Sequence, residues 1–281
     1  MVVLQDIVGG RYRLQKLIGE GGTSKVYLAV DTQDGQLIAV KQIKRDRIVI
    51  PGQEHPLLTE IRMQEKLYHP AFPHIHKVWE EEEFLYVAMD YVEGTALDEV
   101  LREKGARSED LAVDWAKQLC RALVYLHGFR PPVIYRDMKP GNIILQADGK
   151  LKLVDFGTAR EFSGKKKKDT QSLGTPGYAA PEQYKRGRQS DVRTDIYCLG
   201  VTMYHILTGH DPSEPPYRIC SIREWNRSLS PQLDRIVRKC TAKNPRRRYQ
   251  CCEELLKDLE TYRNIKRGFC ARIFDKIRYK G

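Results

Sequence analysis

Ten residues, Val133–Asn142 (VIYRDMKPGN), restrict this chain more than any other stretch. A carboxylate (Asp137), an ammonium (Lys139) and an amide (Asn142) fall within six positions, and Pro140-Gly141 between them forbids a continuous helix or strand. The segment is therefore a loop carrying three polar functions at spacings that suit phosphoryl transfer. Asp137 can accept the proton of an attacking hydroxyl, Lys139 can neutralise a phosphate in flight, and Asn142 can hold a divalent cation.

A second block follows, in which Leu151-Lys152-Leu153-Val154 reads as an apolar strand delivering Asp155-Phe156-Gly157. It puts a carboxylate at a strand end. Magnesium takes hard oxygen ligands and keeps several waters, so Asp155, Asn142 and nucleotide phosphates would complete its shell without a dedicated cage. Alone, an Asp-Phe-Gly tripeptide is an ordinary strand-to-turn junction; the ordered pair of blocks is far more specific.

Upstream, Tyr12–Ile18 alternates as a strand, Gly19-Glu20-Gly21-Gly22-Thr23-Ser24 interrupts it, and Lys25–Val30 resumes. A glycine-rich hairpin tip lets backbone N–H groups approach phosphate oxygens, although an ordinary hairpin turn looks the same. Ile38-Ala39-Val40-Lys41 then forms an apolar strand ending in a lone lysine suited to the α- and β-phosphates. Glu60 opens a helical stretch to Leu67, and its carboxylate is the expected partner of Lys41.

From about Tyr12 to Tyr262 these motifs resemble a serine/threonine-type protein kinase domain, specifically the bacterial eukaryotic-like group. The resemblance implies an α+β bilobal fold, a small and mostly antiparallel β amino lobe with one key helix and a larger, mostly helical carboxyl lobe. It implies an N-terminal extension over 1–11, a kinase domain over 12–262 and a basic tail over 263–281. Within the domain, the amino lobe would run over about 12–89, the hinge over about 90–94 and the carboxyl lobe over about 95–262. Met89 would be the gatekeeper of the nucleotide cleft. Asp90 and Val92 would present backbone groups to adenine, Val26, Ala39 and Ile144 would sandwich the ring, and Ile18, Gly19 and Gly21 would belong to the lid. The implied cofactors are ATP and magnesium, with manganese able to substitute.

Further matches imply further roles. Gly174–Glu182 resembles the substrate-docking and Ala-Pro-Glu segment, and Asp195, opening the apolar helix Ile196–Val201, would anchor the catalytic loop's backbone. Arg248 would pair with Glu182. Arg136 would receive a phosphate from the activation segment, where Thr170 and Ser172 are the favoured sites, while Thr175 would hydrogen-bond near Asp137. Three departures stand out: Ser24 replaces a lid glycine, Tyr135 replaces a histidine, and Gln64 falls where an apolar residue usually completes the packing between helix and Phe156. Gly141 and Ala96 offer no acid, so a preference for basic peptides is not supported.

The implied activity is transfer of the γ-phosphoryl group of ATP to serine or threonine hydroxyls of protein substrates, with autophosphorylation and the self-association that serves it. The alternative is a catalytically weak pseudokinase acting as a nucleotide-binding signalling scaffold. Composition agrees with a globular chain: 281 residues, 41% hydrophobic and 30% charged. No run of eighteen apolar residues and no signal-peptide pattern occurs, and the seven cysteines lack Cys-x-x-Cys spacing, so a cytoplasmic protein with reduced thiols is expected. The net charge of +11 lies in separate pieces, Lys165–Lys168, Arg235–Lys239 and the tail, without a nucleic-acid motif. In the tail, Ile265, Phe269, Ile273 and Ile277 recur every four residues among seven Lys/Arg and one acid, Asp275. Such a helix would either dock on the large lobe or contact an anionic membrane at the inner face of the cell membrane.

Overall fold

The computed structural model describes residues 6–20, 24–47, 56–156, 159–162, 174–184 and 189–263. The chain forms two compact units, one from Met1–Thr95 with Ile144–Gly157, the other from Ala96–Ile143 with Thr158–Gly281.

The first unit is built on a six-stranded sheet. Its strands are Ile7–Val8 (β1), Tyr12–Glu20 (β2), Ser24–Asp31 (β3), Leu37–Lys44 (β4), Ile75–Glu81 (β5) and Phe84–Asp90 (β6), paired antiparallel in the order β1-β2-β3-β4-β6-β5. Side chains alternate faces along a strand, and the sequence uses that period cleanly. Ile38 and Val40 of β4 with Tyr86 and Ala88 of β6 enter one buried cluster, which Tyr12, Leu14, Tyr27 and Ala29 complete. Ile43, Leu85 and Val87 face the opposite way and meet Leu57 and Ile61 of the helix Pro56–Gln64 (α1). Lys41 has the parity of Ile43. It is thus sent to the face that α1 covers.

Two sequence expectations shift here. The helix begins at Pro56 rather than at Glu60, so Glu60 lies inside it, and it ends at Gln64; the Glu65 N–H still reaches back four residues to Ile61, but those of Lys66 and Leu67 reach back only three, to the Met63 and Gln64 carbonyls. The sheet also starts before Tyr12: Ile7 and Val8 pair with Arg13 and Tyr12. Gly9 in the turn has φ +59, and a Cβ there would lie 2.7 Å from the Trp79 ring, so this approach requires glycine.

The chain crosses into the second unit within Thr95–Ala96 (β7). That unit holds Leu97–Lys104 (α2), Glu109–His127 (α3), Val133–Ile134 (β8), Val192–Thr208 (α4), Ile222–Trp225 (α5), Pro231–Cys240 (α6) and Cys252–Thr261 (α7). Between β8 and α4 run Ile143–Leu145 (β9) and Leu151–Leu153 (β10), a hairpin that ends in Asp155, and Arg160–Glu161 (β11), which pairs with β8. Side chains cap the helices: Ser108 accepts from the Leu111 N–H, Ser230 from that of Leu233, and Asp191 forms a capping box with Thr194 at α4. α4 is apolar almost all round and buried throughout its middle, with α3, α5 and α6 packed on it.

Among the described residues no helix is long and apolar enough to cross a membrane, and no cluster of His, Cys, Asp and Glu could hold a metal. The six described cysteines are free thiols. Gly21, Thr170, Ser172, Cys270 and the tail from residue 264 lie outside the described residues.

Candidate active site

In the first unit, a cavity of about 440 Å³ is lined by the residues expected around a nucleotide. Strand register explains the gathering. Val26 stands opposite Lys41 across β3 and β4, and Ala39 stands opposite Met89 across β4 and β6. Ile18 and Gly19 at the end of β2, and Ile144 of β9, also line it. Asp90, Tyr91 and Val92 form the rim, with the Asp90 N–H committed to the His74 carbonyl at 2.9 Å. Past that rim Gly94, at φ +152, brings its backbone so near Ile144 and Leu145 that a Cβ could not fit. The result is an apolar slot with a cation at one end, the chemistry an adenine ring and its phosphates require.

Lys41 Nζ lies 3.4 Å from Glu60 Oε1, and the Glu60 side chain is 5% exposed. Burial pushes its carboxyl above the ordinary glutamate range; the Lys41 ammonium opposes this and the negative charge of Asp155 adds to it. Asp155 also lines the cavity and takes a left-handed φ of +67. Outside glycine such a conformation is strained and is kept where surroundings over-determine it. Phe156, next in sequence, is wholly buried and meets Phe72 edge-on at 5.4 Å.

In the second unit, Asp137 sits at the centre of a polar network. Its Oδ2 accepts from Asn142 Nδ2 at 3.0 Å and lies 3.1 Å from Lys139 Nζ. Its Oδ1 accepts from the Thr175 hydroxyl at 2.8 Å and from the Thr175 N–H at 3.3 Å. Lys139 Nζ donates to that same hydroxyl at 2.6 Å, so Thr175 relays between ammonium and carboxylate. An anchored carboxylate next to a fixed cation can orient a hydroxyl and take its proton while the cation meets developing negative charge.

Scaffold residues surround this loop. Asp195, fully buried in the first turn of α4, accepts from the backbone N–H of Tyr135 at 2.9 Å and of Arg136 at 2.7 Å. Arg136 has φ +70, and its carbonyl accepts from Gln183 Nε2 at 3.0 Å, so the strained residue is gripped on both sides. Glu182 and Arg248 form a two-pronged ion pair, Nη1 to Oε1 at 2.6 Å and Nη2 to Oε2 at 2.9 Å, with both side chains buried.

Three contributors were not singled out for these contacts in the sequence. His127 Nε2 lies 2.8 Å from Asp195 Oδ2. Gln183 links the Ala180 N–H to the Arg136 carbonyl. Gln64, noted only as a polar residue at an apolar position, donates from Nε2 to the Pro73 carbonyl at 3.3 Å. The first pairs residues sixty-eight positions apart, for which no local spacing gives a signal. The polar character of Gln64 was itself the available clue. A larger cavity, about 530 Å³ between α3 and the end of α7, holds none of the expected site residues.

Comparison with known proteins agrees with this geometry. The protein kinase domain model matches residues 12–259. The chain is 33% identical over 272 residues to serine/threonine-protein kinase PknB of Mycobacterium tuberculosis, covering 90% of this chain and 43% of that protein. It is 31% identical over 266 residues to serine/threonine-protein kinase PrkC of Bacillus subtilis, covering 90% and 41%. A probable serine/threonine-protein kinase of Streptomyces coelicolor is 32% identical over 271 residues, covering 90% and 40%. The chain thus spans about 40% of the length of the curated relatives it matches. The match over 12–259, with a sheet unit holding the apolar slot and a helical unit holding the Asp137 loop, means that this chain belongs to the protein kinase domain family.

Proposed function

We propose that this chain is an ATP-dependent serine/threonine protein kinase. The observation that carries the reading is the Asp137 carboxylate, fixed by Asn142, Lys139 and Thr175 at once. Support also comes from the relatives, which are named as serine/threonine-protein kinases, one of them as probable. A pseudokinase scaffold is disfavoured, because Lys41, Glu60, Asp137, Lys139, Asn142 and Asp155 are all present.

On this reading Lys41, held by Glu60, positions the α- and β-phosphates, and Ile18, Gly19, Gly21, Val26, Ala39, Met89, Asp90, Val92 and Ile144 receive the rest of the nucleotide. Asp155 and Asn142 would hold magnesium, or manganese in its place, which supplies charge neutralisation at the phosphates. Asp137 orients the serine or threonine hydroxyl and takes its proton. Lys139 stabilises the charge on the transferring group. Glu182, Asp195 and Arg248 act through the fold.

Regulation is part of the same proposal. Two copies would associate for autophosphorylation at Thr170 or Ser172, and the added charge of about −1.5 to −2 would pair with Arg136. The tail, by composition alone, would bring the catalytic unit to an anionic membrane on the cytoplasmic side.

The test is incubation of the purified chain with labelled ATP, magnesium and cell extract, followed by phosphosite mapping. Label should enter serine and threonine, and the chain's own Thr170 or Ser172. Asp137→Asn or Asp155→Ala should fold normally yet lose at least ~10²-fold in turnover. Near wild-type transfer by purified Asp155→Ala would sink the assignment.

A further inference from the structure

Three consecutive residues in the first unit, Ala71-Phe72-Pro73, touch three different pieces of the candidate nucleotide site. The Ala71 carbonyl accepts from the Leu153 N–H of β10 at 2.8 Å. Phe72, 2% exposed, packs edge-on against Phe156 at 5.4 Å. The Pro73 carbonyl accepts from Gln64 Nε2 at 3.3 Å, and both residues are buried and line the cavity. The segment itself is held by His69, whose carbonyl accepts from the Phe72 N–H at 3.0 Å and whose Nδ1 accepts from the Ala71 N–H at 3.1 Å.

Gln64 lies four residues after Glu60, one turn along the same face of α1. Its side chain is one polar link from that helix to the segment. α1 is only nine residues long, too short to be stable by helix propensity, so its position depends on such tertiary contacts. Apolar contacts of Leu57 and Ile61 with the sheet tolerate small slides of the helix; a directional hydrogen bond does not.

We propose that the Gln64 amide is a positioning residue: through Pro73 and Phe72 it locks the helix carrying Glu60 to the segment carrying Asp155 and Phe156. The departure from an apolar side chain at position 64 is then functional. The same hydrogen bond sets where Glu60 meets Lys41 and where Asp155 enters the cavity. Loss of the donor leaves the buried Pro73 carbonyl unpaired, frees the helix to move away from Lys41, and lowers the fraction of molecules able to bind nucleotide.

This inference rests on the nucleotide site proposed above, and the experiment separates the two. Dissociation constants for magnesium–ATP are measured by calorimetry for wild type, Gln64→Met, Glu60→Gln and the double variant, with thermal melting without nucleotide as a control for folding. Methionine roughly conserves volume and removes the amide, and with it the donor to Pro73; Gln64→Leu is measured beside it. The single Gln64 variants should bind about five- to tenfold more weakly, the scale of one hydrogen bond. In the Glu60→Gln background the same change should have little further effect, because Gln64 acts through Glu60. Equal affinity of wild type and Gln64→Met, or a loss that simply adds to that of Glu60→Gln, overturns the proposal. If wild type binds nucleotide but phosphorylates nothing, the kinase assignment fails while this binding comparison still decides the role of Gln64.

Discussion

Removing one half of the Glu182–Arg248 pair should not cost the same from both sides, and the hydrogen bonds say which side matters more. Arg248 has other partners: its Nε donates to the Ala242 carbonyl at 2.8 Å, its Nη1 to the Arg193 carbonyl at 2.9 Å, its Nη2 to the Lys243 carbonyl at 3.4 Å, and its guanidinium lies 4.7 Å from the centre of the Tyr197 ring. Glu182 has, besides Arg248, the Thr194 hydroxyl at 3.0 Å. In Arg248→Met a carboxylate stays buried with one neutral donor, and three backbone carbonyls lose the arginine; such uncompensated buried charge costs ~3–5 kcal/mol. In Glu182→Gln the guanidinium keeps its three carbonyls and the ring, and the amide oxygen can still accept one of its N–H groups. The loss there should be nearer ~1.5–3 kcal/mol, the scale of a single hydrogen bond to a charged group. Urea unfolding followed by far-ultraviolet circular dichroism gives both numbers from the shift in midpoint at constant slope. If Glu182→Gln proves as damaging as Arg248→Met, or if both cost under ~1 kcal/mol, the surplus of partners on the arginine does not govern this pair.

Thr175→Ala should lower turnover by ~10-fold or more, since its hydroxyl joins Lys139 to Asp137 through charge-assisted bonds, while Thr175→Ser should stay near wild type in steady-state assays. Because burial raises the Glu60 carboxyl above the ordinary glutamate range, acidification should neutralise it, and release Lys41, at a higher pH than for an exposed glutamate. Magnesium–ATP affinity measured against pH should fall through that raised value, and Glu60→Gln should flatten this limb. The sign for folding is the reverse: the folded state holds the proton more tightly, so this group's stabilisation is complete below the unfolded glutamate's pKa and is lost as pH rises through the folded one. Asp195→Asn should place a donor against one of the two N–H groups it now accepts, so hydrogen exchange at Tyr135 and Arg136 should accelerate while the middle of α4 remains protected.

The chemistry-bearing loops were legible because their residue types and spacings have few other uses: Asp137, Lys139 and Asn142 do share one network, and Lys41 does meet Glu60. Alternation was legible in Tyr12–Ile18, whereas the face that Lys41 takes emerged only from the register and packing of the sheet. The short strand β1 was missed because two residues cannot display a period. The start of α1 was misjudged because its sequence gives weak signals; the helix opens on Pro56, a residue well suited to a first turn, with no acid there. Gln64 read as a flaw in an apolar pattern, since its acceptor is a carbonyl nine positions away whose place depends on the path of the loop. Arg136 and Asp155 carry no sequence mark of positive φ; that conformation is imposed from outside, by contacts such as those of Asp195 and Gln183 on Arg136.

The first unit is assembled from two separate stretches, one ending at Thr95 and one running from Ile144 to Gly157. No single cut of the polypeptide can therefore release it alone: a fragment holding both stretches also carries the residues between them. A break before Ile144 strips the slot of one apolar wall and of the Asp155 carboxylate, and a break after Gly157 leaves a fragment that still contains Asp137 but lacks Thr175 and α4, on which that loop leans. Neither half of a divided chain is self-sufficient. A chain cut before Ile144 should regain nucleotide binding, and a chain cut after Gly157 should regain transfer, only when both pieces are present together, which makes these crossings natural places to put the activity under the control of reassembly.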